Sequence, residues 1–172
     1  MTAQIPAPET YLMARLTELD MTIIRHAHPP LKTVEDSKNL RGDLPGGHCK
    51  NLFLKDKKKQ LWLIVTLEDQ PINMKALEKR IGSARLSFGR PELLEETLGV
   101  QSGAVTPFAL IHDTECLVRV VLDEDMLSFD PLNYHPLHNE ATLAISPDDL
   151  VRFVRACGHD PLIVGLSGLD AL

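Results

Sequence analysis

Three stretches of this sequence carry residue types suited to binding a phosphate or polarising a carbonyl. The first is Lys50, which follows the Pro-Gly-Gly turn at 45–47. The second runs from Gly103 to Pro107, a G-x-x-x-P pattern in which the glycine permits close backbone approach and the proline fixes the exit of the loop. Main-chain N–H groups of such a loop can point at an oxyanion or a carbonyl. The third is His135, whose imidazole can transfer a proton or position a substrate.

Each feature also has a structural interpretation that the sequence leaves open. If residues 48–55 form a strand, Lys50 shares a face with Leu52 and Leu54. A lysine there must find a partner, snorkel to solvent, or meet a phosphate or carbonyl at a pocket mouth. The G-x-x-x-P segment is also consistent with an ordinary turn. His135 and His138 are each also consistent with a histidine that is buried and hydrogen-bonded in the core. Without a G-x-S-x-G or Cys/His pattern, we expect no covalent nucleophile.

The elements that must position these residues follow from periodicity and turn signals. Two apolar runs, 48–55 and 60–67, flank the tetrapeptide DKKK and predict a β-hairpin whose second strand is buried on both faces. Upstream, the patterns predict a helix over 8–19, a strand over 20–27 and a helix over 33–40. Downstream they predict helices at 73–82, 91–99 and 146–158, strands at 84–88, 108–112, 116–123 and 161–166, and two short strands, or a strand and a loop, within 130–146.

This order of elements indicates an α/β protein of α+β-like type. We expect one domain over 1–172, with a mixed, curled or barrel-like sheet surrounded by helices. Strict β-α-β alternation is missing, and no G-x-G-x-x-G follows a strand, so a doubly wound dinucleotide-binding fold is disfavoured.

Composition and charge narrow the function. The net charge is −6, yet residues 50–90 hold ten basic and four acidic residues, while the remainder holds eight basic and twenty acidic. Such asymmetry can form a basic face that attracts phosphates, although a lysine-rich hairpin turn can also serve solubility alone. The basic turn consists of Lys55, Lys57, Lys58 and Lys59.

Other classes receive no support from the sequence. No apolar run reaches the ~20 residues of a membrane span, and the N-terminus lacks a signal pattern, so we expect a cytoplasmic protein without membrane contact. Three widely spaced cysteines suit reduced thiols rather than a disulfide framework. No C-x-x-C or H-E-x-x-H spacing occurs, so neither a metal nor another cofactor is expected.

Four motifs in fixed order identify a resemblance. The sequence reads K-N-L-F-L-K-D, then R-L-S-F-G, then G-x-x-x-P-F-A-L, then H-P-L-x-N-x-A-T-x-A-I-S. Together they resemble the YbaK/prolyl-tRNA-synthetase editing domain family, and most closely its free-standing ProX (PrdX) branch. The likeness extends from about residue 20 to residue 166.

The resemblance implies an aminoacyl-tRNA deacylase that clears mischarged tRNA for proline. The ProX-like branch removes alanine and the YbaK-like branch removes cysteine. It implies that Lys50, Gly103 and His135 are catalytic. It also implies that the protein binds the aminoacylated acceptor end of tRNA, and that prolyl-tRNA synthetase or an elongation factor is a further partner. DNA is not expected. By the same resemblance, the substrate-binding residues are Ala104, Val105, Thr106, Pro107, Asn139 and Thr142. The local excess of positive charge, in turn, predicts that Lys55, Lys57, Lys58 and Lys59 bind the tRNA.

Two other functions stay open at this point. One is a non-catalytic module that binds tRNA or the synthetase, against which the retained Lys50 and G-x-x-x-P loop argue. The other is a binding domain for a small acidic metabolite. Salt-dependent retention of charged tRNA would argue against the metabolite-binding domain, because phosphate contacts weaken with salt.

Overall fold

The computed structural model describes residues 7–30, 39 and 44–169. The helix predicted over 33–40 lies outside the described residues, apart from Asn39. Four α-helices lie in the described part: α1 (Ala7–Glu18), α2 (Met74–Ile81), α3 (Pro91–Leu98) and α4 (Pro147–Ala156). Its strands are β1 (Ile24–Ala27), β2 (Gly47–Asp56), β3 (Leu61–Leu67), β4 (Leu86–Phe88), β5 (Val118–Asp123), β6 (Leu132–Tyr134), β7 (Ala141–Ile145) and β8 (Leu162–Val164).

The strands form one mixed sheet, as predicted. Its order is β1-β7-β6-β2-β3-β5-β8. The hairpin β2–β3 is antiparallel, whereas β6 runs parallel to β2 and β5 runs parallel to β3. Two strands pair with the same edge of β2: β6 pairs with its first residues and β4 with its last three. The long strand β2 therefore joins the two halves of the sheet.

Two apolar clusters cover the two faces of this sheet. The larger one includes Leu12 and Leu16 of α1 and Phe153 of α4, and Phe53 of β2 contributes to it. The smaller one lies under α2 and includes Leu54 of β2. Successive residues of β2 thus enter opposite clusters, which confirms the predicted alternation.

Local signals fix the helix ends as predicted. The Asn73 side chain accepts a hydrogen bond from the Ala76 N–H at 3.1 Å, and the Ser146 hydroxyl accepts one from the Asp149 N–H at 3.1 Å. Both caps satisfy N–H groups that a helix start leaves unpaired. The helix α2 ends at Gly82, whose φ of 72° suits a residue without a Cβ.

Two predicted strands differ from the structure. The segment 108–112 was predicted as a strand, which is wrong: Pro107–His112 form a 3₁₀ helix. The proline suits a first turn and the Thr106 side chain caps the Phe108 N–H at 3.3 Å, whereas a short apolar run has no periodicity of its own. The first strand begins only at Ile24, because α1 continues into a turn whose Met21 N–H bonds to the Leu16 carbonyl at 3.1 Å.

Within 7–30, 39 and 44–169, no helix is long and apolar enough to cross a bilayer.

Candidate active site

Lys50 enters the sheet through a turn that requires glycine. Gly46 has φ +98°, and a Cβ there would overlap the Pro131 carbonyl oxygen. The next N–H, that of Gly47, donates to the same carbonyl at 2.8 Å. These contacts tie the start of β2 to the residue that precedes β6. The turn therefore fixes the register of the two parallel strands that follow it.

The Lys50 side chain is held at one end of β2. Its Nζ donates to the Gln70 carbonyl at 2.5 Å, and the residue is half-buried. Partial burial lowers the pKa of the Lys50 ammonium, while the negative charges of Asp69 and Glu68 act in the opposite direction. Lys50 is therefore a partly desolvated cation with one carbonyl partner, rather than the exposed head of a snorkelling side chain.

The register of neighbouring strands relates Lys50 to His135. Gly47 pairs with Leu132 and His48 with Asn133. We expect the same register, continued two residues past these pairs, to set the backbone of Lys50 level with that of His135. At the residues between these two pairs the strands remain adjacent, since the Cys49 thiol contacts the Tyr134 hydroxyl. Burial raises the pKa of both groups.

The same row continues across the sheet. Tyr134 pairs with Leu143 and Thr142 pairs with His26 of β1. The β6–β7 register, continued by one residue, sets His135 level with Thr142. On the other side, Lys50 pairs with Thr66 of β3. Residues that pair across adjacent strands project their side chains to the same face of the sheet. Polar side chains of five strands therefore share one line on one face of the sheet.

His135 is held as a neutral imidazole. Its Nδ1 lies 2.9 Å from the Ala141 carbonyl, which can only accept, so Nδ1 carries the proton and Nε2 is the free lone pair. Burial lowers the pKa of His135; the Ala141 hydrogen bond opposes this effect, and His28 and His138 reinforce it. At neutral pH His135 is thus able to accept a proton through Nε2.

His28, which the sequence motifs did not single out, completes this cluster. Its Nε2 lies 2.9 Å from the Thr142 hydroxyl, and its ring meets that of His135 edge to face at 6.1 Å between centroids. The Nδ1 of His28 faces the Pro29 carbonyl at 2.9 Å. The only available signal was its place just before two prolines, which the sequence analysis took as the end of a strand.

The G-x-x-x-P loop meets the segment that follows His135. A cavity of about 360 Å³ is lined by Gly103 and Ala104 from the loop and by Leu137, His138 and Asn139. A Cβ placed on Gly103 would have the Asn139 Nδ2 at 4.0 Å and otherwise open space. Glycine is therefore not required there for packing, and it leaves the loop backbone accessible from the cavity.

The remaining loop residues have structural positions. Thr106 and Pro107 are buried, and the Thr106 hydroxyl caps the following 3₁₀ helix. Val105 is half-buried. Their contribution to a site is the shape of the loop, whereas Gly103 and Ala104 line the cavity itself.

A buried carboxylate anchors the other wall of the cavity. Glu9 of α1 is fully buried and accepts hydrogen bonds from Arg25 at 2.6 and 3.0 Å. Its Oε1 lies 2.5 Å from the His138 Nε2. Burial raises the pKa of Glu9, but the bonds and charges of Arg25 and His138 outweigh it, so the pKa is lowered. Nothing in the sequence singles out Glu9 for this role, because an acidic residue in a first helical turn also fits the helix dipole.

The four predicted RNA-binding lysines lie away from this row. They surround the β2–β3 turn, about 16 Å along β2 from Lys50. The Asp56 carboxylate organises that turn by accepting bonds from the N–H groups of Lys58 and Gln60 at 2.9 and 3.1 Å. The structure thus separates a cationic turn from the Lys50–His135 row.

These parts suit hydrolysis of an activated ester. A cation beside a neutral imidazole can stabilise developing negative charge while the imidazole takes a proton from water. No covalent nucleophile is needed for an ester. Within the part of the chain that the structure describes, no group of three or more His, Cys, Asp or Glu side chains is arranged to hold a metal ion.

Comparison with known proteins identifies the family. The model of the aminoacyl-tRNA editing domain matches residues 28–153, which contain Lys50, Gly103 and His135. The chain belongs to this family. The resemblance seen in the four sequence motifs is thereby confirmed.

Two relatives cover most of the editing-domain chain. Prolyl-tRNA synthetase associated domain-containing protein 1 of Xenopus laevis is 40% identical over 158 residues, with 89% of this chain and 94% of the relative covered. The prolyl-tRNA editing protein ProX of Acetoanaerobium sticklandii is 35% identical over 149 residues, with 86% and 91% covered.

Solved structures share the fold. One described as a candidate trans-editing enzyme for prolyl-tRNA synthetase superposes with a TM-score of 0.73 at 18% identity and covers 95% of this chain and 99% of its own. A second, the hypothetical protein APE2540, has a TM-score of 0.72 at 20% identity. The mixed sheet with surrounding helices is therefore the architecture of these neighbours.

Proposed function

We propose that this protein is a trans-editing hydrolase that cleaves the aminoacyl ester of mischarged tRNA for proline, with alanine as the amino acid removed. The observation that carries the proposal is the parallel pairing of β2 with β6, whose register, continued two residues past His48 and Asn133, sets Lys50 level with His135. Membership in the editing-domain family and the names of the ProX and prolyl-tRNA-synthetase-associated relatives support the substrate class.

The chemistry assigns one role to each group. Water attacks the ester carbonyl and loses a proton to Nε2 of His135, which is free because Nδ1 is bound to the Ala141 carbonyl. Lys50 holds the phosphate of the terminal nucleotide or stabilises the oxyanion. The C–O bond to the ribose breaks, and the ribose oxygen leaves with the proton that His135 returns. Positioning supplies much of the rate, since the ester is already activated.

Size exclusion by the cavity between Gly103 and Asn139 explains the amino-acid choice. The loop backbone binds the polar end of the amino acid, and the buried Leu137 and Ala104 close the pocket. The whole cavity is larger than a prolyl group, so exclusion has to act locally, beside Leu137 and Ala104: there an alanine side chain is expected to fit, whereas the ring of proline would require space that a rigid wall does not give without strain. A synthetase rejects a smaller amino acid weakly by binding alone, so a second, smaller site removes the errors.

Single-turnover deacylation tests the activity. Alanyl-tRNA for proline, incubated with excess protein, is expected to lose its ester far faster than in buffer. A rate equal to that in buffer, with tRNA binding retained, would instead identify a non-catalytic tRNA-binding module.

The lysines of the β2–β3 turn are expected to bind the acceptor arm. Replacing Lys57, Lys58 and Lys59 with alanine should weaken tRNA binding and lower the slope of log K against log salt, because each phosphate contact releases counterions. The same variant should hydrolyse a short aminoacyl-ester analogue at the wild-type rate. Equal losses on tRNA and on the analogue would show that the turn supports the fold or the site instead. The measurement is binding at several salt concentrations, together with analogue hydrolysis.

A further inference from the structure

A basic cleft lies at the far end of β2 from Lys50. It has a volume of about 900 Å³ and is bounded by the β2–β3 turn, by β4 and by the start of α3. Cationic side chains predominate on its walls, and Glu92 and Glu96 of α3 form an acidic rim on one side. The cations are Lys55, Lys57, Lys59, Arg85 and Arg90.

These cations are available to a ligand. None of the five forms an ion pair with another residue in the described ranges. The Asp56 carboxylate, which also lines the cleft, is already bonded to Trp62 Nε1 at 3.2 Å and to three backbone N–H groups, and it is buried. Its hydrogen bonds hold the walls together and lower the pKa of Asp56, so the carboxylate is charged, and the lining carries five positive and three negative side chains.

Phe88 stands in this cleft with its ring in solvent. Its exposure of 67% is the highest among the large apolar side chains of the described residues. The neighbouring Gly89 packs against the Phe53 ring so closely that a Cβ there would overlap it, and β4 pairs Phe88 with Leu54. The backbone that carries Phe88 is therefore fixed, and a ligand that stacks on the exposed ring orders only this one side chain.

The position of Phe88 relates it to the site. Because Phe88 pairs with Leu54, and Leu54 shares its face of β2 with Lys50, the Phe88 ring lies on the same side of the sheet as Lys50. Four residues of strand separate Leu54 from Lys50, or about 13 Å. At ~3.4 Å for each stacked nucleotide, that distance corresponds to about four nucleotides.

We infer that Phe88 stacks on an unpaired base of the tRNA acceptor end, while the surrounding cations bind the adjoining phosphates. A fixed aromatic ring within a cationic groove is the combination with which proteins bind single-stranded nucleic acid. An acidic peptide would use the charges but not the ring. The inference rests on the proposed function only for the identity of the RNA, because the cleft itself recognises a base and its phosphates.

Binding of uncharged RNA tests the inference apart from catalysis. The probe is a fluorescent hairpin RNA that carries the unpaired 3′ end of tRNA, compared with the same hairpin without the overhang. Phe88→Ala is expected to weaken binding of the overhang RNA by about 5- to 150-fold, the range for loss of one base–aromatic stack. Binding of the blunt hairpin should not change.

Three further variants make the test specific. Phe88→Tyr should retain binding, and Tyr11→Ala, which removes an aromatic ring of similar exposure on α1, should bind like the wild type. Because no charge is removed, Phe88→Ala should leave the salt dependence of binding unchanged. Phe88→Trp places an indole in the cleft whose fluorescence should be quenched by the overhang RNA, against a background from Trp62 that is buried.

The outcomes separate the two proposals. Equal affinity of Phe88→Ala and wild type for the overhang RNA, or equal quenching of Phe88→Trp by both hairpins, would overturn the stacking inference even if deacylation is observed. Phe88-dependent binding of overhang RNA without any deacylation would support the cleft and refute the proposed function.

Discussion

Lys50→Ala is expected to lower the single-turnover rate of alanyl-tRNA deacylation by about 100- to 1000-fold, the usual loss when one electrostatic partner of the reacting oxygen is removed. The physical reason is the partly desolvated ammonium of Lys50, which we propose stabilises the charge that develops on the ester. The melting temperature should change little, since the hydrogen bond that Nζ makes within the described residues is to a single backbone carbonyl, that of Gln70.

Lys75→Ala is the matched control for this experiment. Lys75 is an exposed lysine of α2, outside the proposed site, and its replacement should leave the rate unchanged. If Lys50→Ala deacylates at the wild-type rate with an unchanged melting temperature, Lys50 takes no part in the chemistry and its assigned role is wrong. Loss of activity together with a large fall in melting temperature would make Lys50 a stability residue, and the assigned chemistry would be wrong.

Glu9→Gln is expected to destabilise the fold by about 2–4 kcal/mol. Removing one charge of a buried pair leaves the partner uncompensated, and the cost is reduced here because the Arg25 side chain is 27% exposed. The loss should appear in urea unfolding as a lower midpoint at constant slope. Glu18→Gln, which breaks the exposed Arg15–Glu18 pair on the same helix, should cost less than about 1 kcal/mol.

The pH dependence gives a second test of Glu9. Its pKa in the folded protein lies below the ordinary value of 4.5, so its contribution to stability is fully present above that pH. The contribution is lost as pH falls through the folded pKa, because the carboxyl is then protonated in both states. The stability difference between wild type and Glu9→Gln should therefore shrink below pH 4.5. A difference that stays constant across this range would assign the effect to packing rather than to the charge.

Much of the fold could be predicted from local signals. The hairpin, the alternation of β2 and the caps at Asn73 and Ser146 all depend on a few neighbouring residues. The strand predicted at 108–112 failed because its apolar run suits a buried strand and a buried 3₁₀ turn equally, and the Thr106 cap decided between them.

The site was only partly accessible to sequence reasoning. Lys50 and His135 were singled out separately, but their proximity depends on parallel pairing of β2 with β6, which joins residues more than eighty positions apart. His28 and Glu9 were missed for the same reason. Their partners, Thr142 and His138, lie far away in the sequence, and no local pattern reports such a contact.

The most direct test of the account is single-turnover deacylation of alanyl-, seryl-, cysteinyl- and prolyl-tRNA for proline at one salt concentration. A pocket that selects by size should clear alanine fastest and serine more slowly, because an apolar pocket rejects an added hydroxyl only weakly. Prolyl-tRNA should lose its ester no faster than it does in buffer. If cysteine is cleared fastest, the protein has the YbaK-type specificity and the alanine assignment is wrong; if prolyl-tRNA is cleared as fast as alanyl-tRNA, the size-exclusion account is contradicted.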